Sequence, residues 1–162
     1  MTATRILIAG IGNIFLGDDA FGVEVAQRLA ARTFPQGVRV VDFGIRGIDL
    51  TYALLDGCDV AILVDAVPRG EAPGTVYLIE PEAPADAPMP QGMPLIEPHD
   101  LDPAKVLRLV ASLGGTVRRV LLVGCEPTPF DPEQDMQMEL SPPVRAAVDE
   151  AVNLIVSLVT EM

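Results

Sequence analysis

The sequence predicts an α/β fold: a three-layer sandwich whose mostly parallel, twisted sheet of about five strands carries helices on both faces. Two observations point there. Short apolar runs suited to buried strands alternate along the 162 residues with segments of helical periodicity. Val60-Ala-Ile-Leu-Val64 is apolar throughout, as a central parallel strand covered on both faces must be. With no internal repeat and no linker, one domain over residues 1–162 is expected.

Each element has its own signal. Arg5 to Ala9 reads as the first strand, ended by a tight turn at Gly10 and Gly12. A helix follows from about Ala20 to Arg32, with Val23, Val25, Ala26, Leu29 and Ala30 on a broad apolar face. Pro35-Gln-Gly37 is a turn, and Val38 to Phe43 is the second strand, leading into Gly44-Ile-Arg-Gly47. Asp49 to Leu55 makes a short helix, and Val60 to Val64 is the third strand, ending at Asp65. Gly74 to Ile79 reads as an edge strand. From Pro81 to Pro98 the chain is too polar and proline-broken to join the sheet. Asp102-Pro103 starts a helix, with Asp as cap and Pro at the first position. Val106, Leu109, Val110 and Leu113 recur at helical spacing before Gly114-Gly115 stops it. Arg119 to Gly124 is the last strand. After a long loop, Ser141-Pro-Pro opens a final helix showing Val144, Val148, Ala151, Ile155 and Leu158 on one face.

Composition narrows the function classes. A net charge of −12 argues against nucleic acid as a partner, since a phosphate-binding surface needs clustered Lys and Arg. No apolar run approaches the roughly 20 residues of a membrane span, so no membrane partner is expected. The weakly charged, glycine-broken start does not read as a signal peptide, which predicts a soluble, cytoplasmic protein. Cys58 and Cys125 show no C-x-x-C spacing and are expected to be buried apolar fillers. His99 is the single histidine, which rules out a His-rich zinc site within one chain. Without a G-x-S-x-G elbow, or a histidine close in sequence to either cysteine, serine or cysteine hydrolase chemistry has little support.

Chemistry gathers instead at Asp18 and Asp19, side by side at the entrance to the first helix. One carboxylate there can cap the helix, accepting its orphan N–H groups and meeting the positive end of its dipole. The other is then expected to face an open cleft at the strand's carboxyl end, where α/β sheets keep their ligands. Asp65 ends the third strand and His99 closes the proline-rich loop. If these converge, Asp19, Asp65 and His99 form two carboxylates and an imidazole, suited to a borderline divalent ion such as nickel, zinc or manganese with open positions for substrate. Simpler roles compete: a helix cap for Asp19, a turn cap for Asp65 and an internally satisfied loop histidine for His99. Gly10-Ile-Gly12 with Asp42 keeps a nucleotide-binding domain as an alternative. Against it, Phe15 stands where a third glycine belongs, and the Asp pair would face a pyrophosphate with like charge.

Taken together, these motifs resemble the nickel–iron hydrogenase maturation endopeptidases. The matching residues are Gly10-Ile-Gly-Asn13, Asp18-Asp19 with Gly22-Val23, Asp42 with Gly44 and Gly47, and Val64-Asp65-Ala66 with Pro73-Gly74-Thr75. Pro98-His99, Gly124 and Glu126-Pro127 complete the set, in order over nearly the whole chain. The resemblance implies an endopeptidase that removes a C-terminal peptide from the hydrogenase large-subunit precursor after nickel insertion. It also implies that Asp19, Asp65 and His99 are the metal-binding and catalytic residues, and that the nickel is carried by the substrate. Zinc or cadmium could occupy the same site. The loop Asp42-Phe-Gly-Ile-Arg-Gly47 departs from the family's usual Asp-Gly-Gly-Thr-x-Gly, and Ala20 replaces a common Gly. If that loop meets the precursor, Asp42, Gly44, Arg46 and Gly47 bind it, and Phe43 and Arg46 select the hydrogenase class. The alternative from a different class is a non-catalytic nickel-sensing chaperone of the same precursor.

Overall fold

Every strand that the apolar runs predict finds its place in one sheet. The computed structural model describes residues 4–13, 17–80, 103–115, 117–129 and 139–162. Strands β1 (Ile6–Ile11), β2 (Val38–Gly44), β3 (Val60–Ala66) and β5 (Arg119–Cys125) run parallel, and β4 (Val76–Ile79) lies antiparallel at the edge beside β5. The order is β2-β1-β3-β5-β4, so β3, which carries the apolar run Val60 to Val64, is central.

Because strand side chains alternate between faces, the sheet supplies two cores. Ile6, Ile8, Ile62, Val64, Leu121 and Val123 pack on one face with helices α1 (Phe21–Ala30) and α4 (Pro142–Glu161). Leu7, Ala9, Ala61 and Leu63 pack on the other with α2 (Gly47–Leu55) and α3 (Pro103–Ser112). This is the predicted three-layer arrangement. Helix α3 stops as expected: Gly114 takes φ +83°, and the amides of Gly115 and Gly114 return to the carbonyls of Val110 and Ala111. No helix among the described residues is long and apolar enough to cross a membrane.

Some boundaries differ from the sequence reading, for physical reasons. Strand β1 runs through Gly10 to Ile11 instead of ending at Ala9. Gly10 is there for close approach: a Cβ on it would lie 2.5 Å from Ala26 Cβ. Gly22, on α1, is pressed against the carbonyls of Ile11 and Val64, where no Cβ fits. The first turn of α1 therefore lies directly on the tips of β1 and β3. Ala30 is exposed, outside the apolar face assigned to it. On α4, Val159 rather than Leu158 is buried, since a stripe on a 20-residue helix drifts with the 3.6-residue turn.

Candidate functional site

The chain leaves β1 for one side of the sheet and leaves β3 for the other, so the two strands flank a switch point. Open α/β sheets bind ligands in the crevice beyond the carboxyl ends of such strands. Gly10 pairs in register with Val64, the last residue of β3 paired to β1, and Asp65 comes next, paired on its other side with Gly124 of β5. Asp65 is 9% exposed. By alternation it projects from the same face as Leu63, the face that α2 and α3 cover.

Asp18 and Asp19 lie on a 3₁₀ turn, Gly17–Ala20, that delivers the chain into α1. Their side chains part company, as neighbouring residues at a helix start should. Asp19 is half-buried and accepts the Asn13 amide on Oδ2 at 2.9 Å. Burial pushes its carboxyl above the ordinary range, and the Asn13 bond offsets only part of that. The same bond bears on the nucleotide alternative, because an amide that could hold a phosphate already holds a carboxylate.

The capping expectation is corrected. The N-cap of α1 is Ala20, with no side-chain cap bond. Asp18, 7% exposed, reaches across the molecule instead. It accepts the amide of Thr128 at 2.9 Å and its hydroxyl at 2.5 Å, then the amide of Ser141 at 2.7 Å and its hydroxyl at 2.8 Å. Burial alone would raise this carboxyl, but the four donors outweigh it and hold the group below its ordinary value.

The loop from β2 to α2 is built by its own polar groups. Asp42 Oδ1 accepts the Gly44 amide at 2.9 Å, Gly44 takes φ +56°, and its carbonyl accepts the Gly12 amide at 2.9 Å. That last bond ties this loop to the turn leaving β1. Arg46 folds back, donating to the carbonyls of Phe43 at 3.1 Å and Asp42 at 2.5 Å, with Asp49 at 3.5 Å. Gly47 is buried at the start of α2, where its carbonyl accepts the Thr51 hydroxyl at 2.8 Å. Phe43 is corrected as a selector of precursors: at 4% exposed it belongs to the core beneath the loop.

Asp19, on the turn after β1, and Asp65, near the carboxyl end of β3, thus stand at one rim of the sheet. His99, the third predicted ligand, lies outside the described residues. Among the described residues no group of three His, Cys, Asp or Glu side chains is arranged to hold an ion. Cys125 is buried as expected, whereas Cys58 is only half-buried.

A further acid belongs to this region, beyond the carboxylates that the sequence singles out. Glu126, 3% exposed, accepts the Arg69 amide on both oxygens at 2.9 Å. Its Oε1 also accepts the Glu71 amide at 2.5 Å and the Tyr77 hydroxyl at 3.2 Å. Burial works against its charge, yet the donors of Arg69, Glu71 and Tyr77 hold its carboxyl below the ordinary range. The available signal was a charged residue directly after the apolar run of β5.

Comparison with known proteins gives consistent likenesses. The profile of the family described as hydrogenase maturation protease matches residues 23–158. The hydrogenase expression/formation protein HoxM of Azotobacter vinelandii is 35% identical over 162 residues, 99% of this chain and 75% of that protein. The hydrogenase 2 maturation protease of Escherichia coli K12 is 32% identical over 160 residues, 97% of this chain and 92% of that protein. Among solved structures, the hydrogenase maturating endopeptidase HybD from Escherichia coli superposes with a TM-score of 0.76 at 27% identity, covering 98% of this chain and 93% of that one.

Proposed function

This chain belongs to the hydrogenase maturation protease family, and from that premise we propose that it cuts a C-terminal extension from a nickel–iron hydrogenase large-subunit precursor once nickel has been inserted. The carrying observation is that Asp19, on the turn after β1, and Asp65, at the carboxyl end of the adjacent parallel strand β3, share the rim at the sheet's switch point. With His99 they offer an incomplete ligand set, weak for a free ion. It becomes strong when the precursor supplies the nickel already held by its own cysteine thiolates. The peptidase then tests for nickel before cutting. Zinc and cadmium suit the same donors and are expected to compete for them.

The nickel, part of the substrate, polarises the scissile carbonyl and binds the attacking water. Asp19 or Asp65 accepts the water's proton, the C–N bond breaks, and the proton passes to the departing amine. The loop of Asp42, Gly44, Arg46 and Gly47, tied to the β1 turn through Gly12, meets the precursor beside the cut. Arg46 acts chiefly by stiffening that loop, since its guanidinium is turned onto the carbonyls of Asp42 and Phe43.

The test is the mass of nickel-loaded and nickel-free precursor after incubation with the protein. The expected result is shortening of the loaded form alone, lost in Asp65→Ala and His99→Ala variants that keep the wild-type melting temperature. A precursor bound but never shortened would replace the reading with that of a chaperone.

A further inference from the structure

The three residues after β5 hold the turn that bears Asp19 and the segment that follows Asp65. Glu126 grips the chain leaving Asp65: its carboxylate takes the amides of Arg69 and Glu71, its carbonyl takes the Gly74 amide at 2.8 Å, and its own amide donates to the Thr75 carbonyl at 2.8 Å. One residue earlier, the Cys125 carbonyl accepts the Val67 amide at 2.9 Å. Two residues later, Thr128 grips the chain leaving β1, giving its amide and hydroxyl to Asp18, the neighbour of Asp19. Neither grip is needed to fill a core. Both place a polar group that burial would penalise unless the partner loop stood where it does.

We propose that the Glu126–Thr128 segment is a positioning device for the cleavage, holding the turn of Asp19 and the segment that leaves β3 just after Asp65 at one spacing. This rests on the reading of those carboxylates as ligands of the precursor's nickel. Glu126 and Thr128 touch neither substrate nor metal; they act through the two loops. A rigid link suits the reaction, because a displacement of about 1 Å in a reacting group can lower a rate roughly 100-fold. It also gives the metal test its sharpness, since two loops free to spread would accept a larger or differently liganded ion.

The test uses Glu126→Gln, which keeps the side chain's shape but turns an NH₂ toward the amide donors, and Thr128→Val, which removes the hydroxyl and keeps the volume. Native-state hydrogen exchange on the whole protein, without substrate, reads the coupling. Glu126→Gln is expected to speed exchange of the Asn13 amide, the donor to Asp19, by about tenfold or more, and Thr128→Val to do the same at Arg69. Amides in the core of β3, Ala61 to Leu63, are expected to keep their rates. Changes confined to each variant's own loop would overturn the proposal. On nickel-loaded precursor both variants should lose roughly 10- to 100-fold in kcat/KM, the double variant losing less than the product of the two, and Thr128→Ser should restore activity. Full activity in both variants would sink the inference while leaving the peptidase reading intact. If the wild-type protein cuts nothing, that reading falls instead, and hydrogen exchange alone decides whether the segment couples the loops.

Discussion

Asp18 accepts the Ser141 amide on Oδ1 at 2.7 Å and the Ser141 hydroxyl on Oδ2 at 2.8 Å, joining residues 123 apart in the chain. Ser141 is the N-cap of α4 and makes no side-chain cap bond to its own helix. The acid at the entrance to the first helix therefore secures the entrance to the last one.

Removing that acid leaves the donors of Thr128 and Ser141 without their shared acceptor. Asp18→Ala should lower stability by on the order of 3 kcal/mol, read by urea denaturation at neutral pH. Its folded carboxyl titrates below the ordinary 3.8, so the stabilisation is complete above about that pH and is lost as pH falls through the depressed value. The stability gap between wild type and Asp18→Asn should accordingly narrow below pH 3.8. A gap that stayed constant down to pH 2 would contradict the charge-based account.

Asp19, one residue on, should behave in the opposite sense. Burial raises its carboxyl, so the stability linked to the neutral form is present below 3.8 and lost as pH rises through the raised value. Asp19→Asn keeps an oxygen for the Asn13 amide and removes the penalised charge. The variant should melt at or above the wild-type temperature at pH 7, show no advantage at pH 3, and fail to shorten the precursor. A clear loss of melting temperature at pH 7 would mean that Asp19 is there to hold the fold.

Gly22→Ala should be severely destabilising, by about 3 kcal/mol or more, because a methyl there meets the backbone carbonyls of two strands that cannot retreat. Gly70→Ala makes the contrast. Gly70 has φ +83° but nothing within 4 Å of an added Cβ, so only local strain is at issue. Thermal denaturation of the pair separates close approach from backbone conformation.

The thiols should differ in reactivity. Cys125 is fully buried and its thiol is pushed up to about 12, first by burial and then by the charges of Asp18, Glu126 and Glu150. Half-buried Cys58 is raised less. An alkylating reagent at pH 8 should modify Cys58 slowly and Cys125 only after denaturation. Mass mapping of the labelled peptides checks it.

The precursor's class should depend on the β2–α2 loop as a rigid unit. Arg46→Ala removes the guanidinium from the carbonyls of Asp42 and Phe43, and is expected to raise KM for the loaded precursor several-fold with little change in kcat. An unchanged KM would remove this loop from the contact surface.

Short-range physics wrote the elements into the sequence: the apolar run of Val60 to Val64 made β3 central, Gly114-Gly115 ended α3, and the paired acids marked the rim. The resemblance carried by those motifs agrees with the family to which the chain belongs. What no local pattern could disclose is where Asp18 and Glu126 find their donors. Thr128, Ser141, Arg69 and Glu71 lie between 55 and 123 residues from the acids they serve. A helix cap is decided within four residues by its own orphan amides, so Asp18 looked like a cap in the sequence. Only the strand order, which sets the ends of β1, β3 and β5 side by side, brought nearer competition from distant loops and turned that carboxylate outward from its own helix.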